Sequence, residues 1–259
     1  MREADGVEKA VTGTERNRKP GMRRVSSLPL RASSHGLSAR LRTLYTRLAE
    51  AYGPQQWWPA KTPLEVIIGA YLTQNTTWAS VEKSIQNLDA HCLLCVDGLR
   101  RVSEEELRIH IRPSGYMTRK ATAIKAFIVF LDSHYEGSLE NLMEESPEIA
   151  RPRLLALPGV GPETADAILL YAFGHPAMVV DEYLRRVVTR HRLLPASAKY
   201  TDIQQAAVAA FDGDSPATRK QHYSEFHAVI VEVGKRHCGR VARCEDCPLA
   251  FDLLNAPIV

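Results

Sequence analysis

Long apolar runs are missing from this chain of 259 residues. No stretch of 18 or more apolar residues occurs, so no membrane span is predicted. The alternation of apolar and polar residues that marks a strand is also scarce, because the β-branched residues recur at helical spacing instead. The sequence therefore predicts an all-α protein with roughly ten helices.

Cysteine is scarce and the charge is nearly balanced. Five cysteines, three of them close to the end, do not resemble a secreted disulfide framework, and no apolar secretory segment opens the chain. We therefore expect a cytoplasmic protein, associated with the nucleoid if the source is prokaryotic.

Residues 1–35 hold eight Lys or Arg against four acids, so 1–36 are predicted to be a disordered basic tail. The net charge of +3 permits nucleic-acid binding without establishing it.

The most informative segment is a Gly-x-Gly turn between two predicted helices, which runs from Leu157 to Gly161. Backbone N–H groups exposed at a helix start can hold a phosphate oxygen without help from a side chain. Pro162 suits the first position of the helix that follows. Asp181 stands just before another helix, where it is expected to accept a hydrogen bond from the Leu184 N–H as an N-cap. A phosphate-binding turn followed by an acidic residue indicates chemistry on nucleic acid.

This segment resembles the helix-hairpin-helix motif and following loop of the endonuclease III (HhH-GPD) superfamily of DNA glycosylases. The resemblance rests on the turn itself, Ala165, Ala172-Phe173-Gly174 and Val180-Asp181, and extends upstream to Leu72–Thr76.

The resemblance covers about residues 37–248 and implies a two-lobed HhH-GPD glycosylase domain over 37–259. A helical-barrel lobe is expected at about 64–172, a second lobe at 37–63 and 173–237, and a degenerate iron–sulfur loop at 238–253. The implied protein is a base excision repair enzyme that acts on double-stranded DNA with damaged bases, does not bind membranes and works as a monomer.

The resemblance also assigns roles to individual residues. Asp181 is the expected catalytic aspartate, since breaking the glycosidic bond develops positive charge on the sugar and a fixed anion stabilises it. The amides of Gly159, Val160 and Gly161 are expected to hold a DNA phosphate. Gln74 matches the family position that fills the gap left by the flipped nucleotide.

Glu163 departs from the pattern of the bifunctional family members. Those enzymes carry a lysine two residues after the second hairpin glycine, and its amine forms a Schiff base with the sugar. A carboxylate cannot form that adduct. We therefore predict that Glu163 belongs to the catalytic site of a monofunctional glycosylase, which leaves an abasic site. A solvated glutamate favoured by the helix dipole is the structural alternative.

The aromatic residues indicate the substrate. Trp57-Trp58-Pro59 and Trp78 resemble the base pocket of the 3-methyladenine DNA glycosylase III branch, which also has Glu at the position of Glu163. An alkylated purine is cationic, and an indole face attracts a cation by about 0.5–2 kcal/mol. Each tryptophan could instead fill the core. The alternative functions are a glycosylase for oxidised pyrimidines, disfavoured by the missing lysine, and a non-catalytic lesion-binding module.

Three cysteines near the end resemble the iron–sulfur loop of the superfamily. Cys238, Cys244 and Cys247 follow a C-x5-C-x2-C spacing, but a [4Fe–4S] cluster generally needs four thiolates, and the expected fourth position falls on Leu253. Three readings stay open: a loop whose cluster is lost or labile, a cluster with one non-cysteine ligand, and a zinc site completed by His237. The first is favoured because the branch includes cluster-free members.

Overall fold

The computed structural model describes residues 34–55 and 57–254. Within these ranges the regular structure is helical, apart from an isolated bridge between Cys238 and Ala242. The predicted all-α class is therefore confirmed. None of the helices in the described ranges is both long enough and apolar enough to cross a membrane.

The α-helices follow one another along the described chain as α1 (Ser34–Tyr52), α2 (Pro63–Leu72), α3 (Trp78–Ala90), α4 (Val96–Arg101), α5 (Glu104–His110), α6 (Met117–Tyr135), α7 (Leu139–Met143), α8 (Pro147–Leu155), α9 (Pro162–Ala167), α10 (Glu182–Arg190), α11 (Tyr200–Ala209), α12 (Pro216–Arg236) and α13 (Ala250–Leu254). A 3-10 turn, Arg112–Ser114, precedes α6, and a π-helical segment, Ile168–Ala172, continues α9.

The long helices lie close to where the hydrophobic periodicity predicts them. α1 begins before the predicted start at Leu37, so residues 34–36 belong to a helix, while the rest of the predicted basic tail lies outside the described ranges. α4, α7 and α13 were not predicted, because helices of five or six residues are too short to show a helical repeat.

A first apolar core is enclosed by α2 to α8 and the helix that follows the hairpin. Its buried members run from Leu64 to Ala172. α6 contributes Ile124, Phe127 and Leu131, none of which has exposed surface. Burial of this kind stabilises a side chain by about 1.5–3 kcal/mol.

A second apolar core is built by α1, α10, α11 and α12. The leucines of α1 recur at helical spacing, and Leu41, Leu44 and Leu48 are all buried in this core. They meet Phe226 and Val233 of α12, which belong to the same cluster.

The helix after the hairpin lies at the boundary between the two cores. Ile168 and Leu169 belong to the first core, whereas Ala167 and Leu170 belong to the second. Tyr171 packs against both. The π-helical turn adds a residue to the helical repeat here, and such turns are common at functional sites. The predicted lobe boundaries stay a prediction, but both cores flank the hairpin and hold it in place.

Candidate active site

A cavity of about 930 Å³ opens beside the hairpin. Its walls come from the loop after α1, the end of α2, the hairpin and the starts of α3 and α10, together with one face of α12. The lining includes the following residues predicted from the sequence: Trp57, Trp58, Gln74, Trp78, Gly159, Gly161, Glu163 and Asp181. Pro59, predicted with the tryptophans, lines a neighbouring cavity of about 500 Å³ instead.

Three tryptophans form a contiguous aromatic wall of the cavity. The rings of Trp58 and Trp78 are 5.3 Å apart and nearly perpendicular, and Trp57 lies 5.8 Å from Trp58. Edge-to-face contacts at these distances are favourable. All three side chains are half-buried, so they border open space and do not simply fill the core. Trp58 also packs on Tyr171, with ring centroids 5.2 Å apart.

Asp181 occupies the N-cap of α10 and is buried. Its Oδ1 accepts a 2.7 Å hydrogen bond from the Leu184 N–H, which confirms the predicted cap. Burial raises the pKa of Asp181 to about 6, although the backbone N–H groups of Leu184 and Tyr183 act in the opposite direction. The carboxyl group is therefore mostly ionised at neutral pH and loses its charge as the pH falls through about 6.

A buried carboxylate on the hairpin helix fixes the segment that leads to Asp181. Asp166 pairs with Arg151 at 2.6 Å and accepts a 2.7 Å hydrogen bond from the Tyr200 hydroxyl. The same hydroxyl accepts a 3.3 Å hydrogen bond from the Val180 N–H. The residue just before Asp181 is thus tied to the hairpin helix.

Glu163 lies in the first turn of α9, and its side chain is open to the cavity. Desolvation by the surrounding walls, followed by the charges of Asp181 and Glu182, raises its pKa to about 7. Like charges that share a site disfavour full ionisation of both groups. Near neutral pH Asp181 is thus the ionised carboxylate of this pair, and Glu163 retains its proton in a large fraction of molecules.

The hairpin turn uses its two glycines differently. Gly159 has φ +76°, and a Cβ there would lie 3.2 Å from the Ala123 Cβ. The Val160 N–H, expected to bind phosphate, donates to the Leu157 carbonyl at 3.2 Å, and the Val160 side chain is buried. Gly161 has an extended backbone with open space beside it, and no described residue accepts a hydrogen bond from its N–H. The Gly161 amide is therefore available, and the Gly159 N–H likewise has no acceptor among the described residues.

Gln74 connects the loop after α2 to the hairpin. Its Nε2 donates to the Gly159 carbonyl at 2.8 Å and lies 3.2 Å from the Thr164 Oγ1. Tyr116 lines an adjoining cavity of about 370 Å³ together with Gln74 and Gly159, and it is 61% exposed. Tyr116 was not predicted from the sequence; an aromatic residue in a Gly-Tyr turn just before a long helix was the available signal.

The face of α12 that borders the cavity was not predicted from the sequence either. His227, Val231 and Lys235 line it, and their spacing of four places them on one side of the helix. The Lys235 Nζ lies 5.4 Å from the centre of the Trp57 ring. The spacing of His227, Val231 and Lys235 identifies one face of a helix, but it does not show that this face borders a cavity until the facing residues are known.

The cysteine loop does not present a four-thiolate site. Cys238 is buried, with its Sγ 3.1 Å from the Arg190 guanidinium, whereas Cys244 is exposed and Cys247 half-buried. Leu253, at the expected fourth position, lies in α13. Among the described residues, no three His, Cys, Asp or Glu side chains come together as a possible metal site. The loop therefore does not supply the four thiolates that a [4Fe–4S] cluster generally needs, and the three readings of this loop stay predictions.

Comparison with known proteins places this architecture among DNA repair glycosylases. The family model described as "HhH-GPD superfamily base excision DNA repair protein" matches residues 68–211. A Methanocaldococcus jannaschii protein named as a DNA repair glycosylase is 39% identical over 208 residues, which span 80% of this chain and 92% of that protein.

Two solved structures have the same fold. The H. pylori 3-methyladenine DNA glycosylase MagIII, bound to 1,N6-ethenoadenine, gives a TM-score of 0.66 at 28% identity and covers 78% of this chain and 97% of that one. A non-covalent endonuclease III–DNA complex gives a TM-score of 0.68 at 25% identity and covers 85% of this chain and 94% of that one.

Proposed function

Since this chain belongs to the HhH-GPD superfamily of base excision DNA repair proteins and is a DNA glycosylase, we propose that it removes an alkylated purine and leaves the abasic strand uncut. One observation carries the proposal: the aromatic wall and a buried carboxylate, Asp181, border the same cavity. The likeness to the H. pylori enzyme with 1,N6-ethenoadenine bound supports the choice of a modified purine.

The cavity offers the flipped base an aromatic surface and negative charge. A purine can stack on the indoles, and a cationic purine gains about 0.5–2 kcal/mol from each indole face it meets. Lys235 already lies over Trp57, so we assign most of the attraction for a cationic base to Trp58, Trp78 and the charge of Asp181. Extrusion of the base costs a few kcal/mol, which the stacking offsets.

The proposed chemistry needs one ionised carboxylate and one water molecule. As the glycosidic bond breaks, its electron pair leaves with the base and positive charge develops on the sugar. Asp181, ionised and held by the α10 N-terminus, stabilises that charge in a site of low dielectric. A water oxygen then bonds to the sugar carbon, and its proton passes to the carboxylate. An alkylated purine is a good leaving group, so little acid catalysis is required.

The expected products distinguish this function from its alternatives. With methylated duplex DNA, we expect release of free base, strand breaks only after alkali, and no covalent adduct after borohydride. A trapped adduct would show lyase activity; among the residues that line the cavity, Lys235 carries the amine to examine first. Binding without base release would identify a non-catalytic module and contradict the proposal.

Replacing Gly161 with Ala is expected to weaken DNA binding without loss of stability. The new methyl group meets no protein atom within 4 Å, and the extended backbone suits any residue. The methyl group would instead occupy the space where a phosphate reaches the free N–H. Loss of one charge-assisted hydrogen bond corresponds to about 10-fold or more in Kd.

The measurement is a fluorescence-anisotropy titration of duplex DNA, paired with thermal melting. Gly159→Ala is the matched comparison: the positive φ of Gly159 and its contact with Ala123 predict a lower Tm. Unchanged affinity in Gly161→Ala would show that the Gly161 N–H does not bind a DNA phosphate.

A further inference from the structure

A chain of buried polar groups leads away from the carboxylate of Asp181. The second oxygen, Oδ2, faces the His227 Nε2 at 3.8 Å. On the other side of the imidazole, Nδ1 lies 2.7 Å from the Tyr171 hydroxyl. His227 and Asp181 are both buried. Three groups from three separate helical elements thus form one line that ends at the cavity.

The partners of His227 determine which ring nitrogen carries the proton. A neutral imidazole has one donor and one acceptor nitrogen. If the Tyr171 hydroxyl donates to Nδ1, then Nε2 carries the hydrogen and points it at Asp181. The other tautomer would direct a lone pair at a carboxylate, which is electrostatically unfavourable. The arrangement with Nε2–H toward Oδ2 is therefore the favoured one.

The imidazole is kept neutral by its surroundings. Burial lowers the pKa of His227 to about 4, so it carries no charge at neutral pH. Burial also raises the pKa of the Tyr171 hydroxyl well above its ordinary value, which keeps that group protonated and able to donate. A buried polar ring is costly unless its nitrogens have partners. Tyr171 and Asp181 are the partners that this site provides.

Packing fixes the geometry of the pair. Tyr171 lies in the π-helical segment, its ring 5.2 Å from Trp58 and 5.8 Å from His227. The His227 ring in turn lies 6.3 Å from Trp57. The base-stacking wall and the carboxylate are therefore joined through these two side chains.

We propose that Tyr171 and His227 are positioning residues for Asp181, which direct an N–H at Oδ2 so that the carboxylate stays ionised and aimed at the sugar. The 3.8 Å separation is longer than a hydrogen bond, and we expect it to shorten in the complex with DNA, where catalytic hydrogen bonds tighten. The inference rests on the proposed role of Asp181 as the catalytic carboxylate.

Several other groups act on Asp181 and have to be kept constant. Glu182 on its own helix and Glu163 on α9 are coupled to it electrostatically, and Lys235 of α12 and Arg186 of α10 line the same cavity. Glu225 of α12 acts on Tyr171. All of these residues remain in every variant below. Differences between the pH profiles then report on His227 and Tyr171.

The test is a double-mutant cycle with single-turnover base release from a duplex that carries one 1,N6-ethenoadenine. His227→Phe is expected to slow the reaction about 10- to 100-fold, the effect of one hydrogen bond to a charged group. Tyr171→Phe should slow it less, since Nε2–H can still form. Because the two residues act as a unit, the double variant should be no slower than His227→Phe alone. Affinity for the duplex should not change.

The pH dependence of base release is a second measurement, and it would not change if His227 had only a packing role. Wild-type activity should fall as the pH drops through about 6, when Asp181 gains a proton. Without the N–H donor the carboxylate is less stabilised, so the acid limb of His227→Phe should move to higher pH. His227→Gln, whose amide can place a donor near Nε2, should recover part of the rate and move the limb back.

Two results would overturn the inference: full multiplication of the two single defects in the double variant, or an acid limb that stays in place in His227→Phe. If His227→Phe does not fold, Tyr171→Phe and His227→Gln carry the same comparison. Asp181→Asn distinguishes failure of the proposed function from failure of the positioning role. Full activity of that variant defeats the proposed function itself, whereas an inactive Asp181→Asn with independent effects at Tyr171 and His227 defeats only the positioning role.

Discussion

Asp181→Asn is expected to reduce base release by at least about 10³-fold while duplex binding is preserved. Removal of one preorganised electrostatic contact costs about 10²–10³ in rate, and here a full charge is lost in a buried site. The Asn side chain is nearly isosteric and caps a helix as well as Asp does, so the hydrogen bond from Leu184 should persist. Single-turnover base release and anisotropy on the same duplex measure the two effects separately.

The same substitution is expected to raise stability at neutral pH. The folded-state pKa of Asp181, about 6, lies above its ordinary value of 3.8, so the folded protein favours the protonated form. The ionised carboxylate therefore destabilises the fold above about pH 6, and this cost disappears below about pH 4. At about 1.4 kcal/mol per unit of pKa shift, ionisation of Asp181 lowers the free energy of unfolding by the order of 3 kcal/mol at pH 7. The ionised carboxylate that the proposed reaction requires thus lowers the stability of the fold.

Thermal melting at pH 7 and pH 4 checks the sign. Wild type and Asp181→Asn should differ more at pH 7 than at pH 4. Ser103→Ala is the crossed control, because Ser103 caps α5 outside the cavity by accepting a 3.1 Å hydrogen bond from the Glu106 N–H. It should lose about 1 kcal/mol of stability and keep its activity. Full activity in Asp181→Asn would show that the mechanism is wrong.

Features that depend on near neighbours in the chain could be predicted from the sequence. The buried stripe of Leu41, Leu44 and Leu48 follows from helical spacing alone. The cap of Asp181 on Leu184 spans three residues and follows from the preference of Asp for helix starts. The family resemblance then placed the tryptophans and both carboxylates together, as the cavity shows.

Features that depend on distant contacts could not be predicted. The Tyr171–His227 hydrogen bond joins residues 56 positions apart, and each residue alone reads as an ordinary helix member. A π-helical turn leaves no mark in the apolar pattern, so the register of Tyr171 was open. Pro59 follows Trp58 in sequence, yet it borders the neighbouring cavity and not the one that holds Asp181, although Trp58 borders both.

The hairpin shows the same limit at shorter range. The Gly-x-Gly pattern identifies a turn that exposes amides, and Gly161 agrees with that expectation. The pattern does not tell which amides the turn uses for itself, and the Val160 N–H is taken by Leu157 at 3.2 Å. The three-dimensional structure of the turn is needed to show that the Val160 N–H is paired and the Gly161 N–H is not.

Glu163→Lys is expected to create a trappable covalent adduct with abasic DNA where the wild type forms none. The side chain of residue 163 borders the same cavity as Asp181, where the sugar of a flipped nucleotide is proposed to lie. The desolvation that raises the pKa of Glu163 would lower that of an amine, while Asp181 and Glu182 would raise it. A neutral fraction is enough for attack on the aldehyde carbon, which forms a Schiff base and releases water.

A duplex with a preformed abasic site removes any dependence on base excision, and borohydride followed by denaturing electrophoresis detects the adduct. The chain offers a matched control, because α8 begins Pro147-Glu148 just as α9 begins Pro162-Glu163. Glu148 is exposed and does not border the cavity, so Glu148→Lys carries the same charge change and helix-dipole cost, about 0.3–1 kcal/mol, without access to the sugar.

Adduct formation by Glu163→Lys alone would show that residue 163 faces the sugar carbon, and that the missing amine at this position accounts for the proposed lack of lyase activity. If Glu163→Lys binds abasic DNA with wild-type affinity and yet forms no adduct, the hairpin position lies out of reach. The missing lysine would then say nothing about lyase activity. An adduct in the wild type would require an amine elsewhere on the cavity wall, and Lys235→Ala would show whether α12 supplies it.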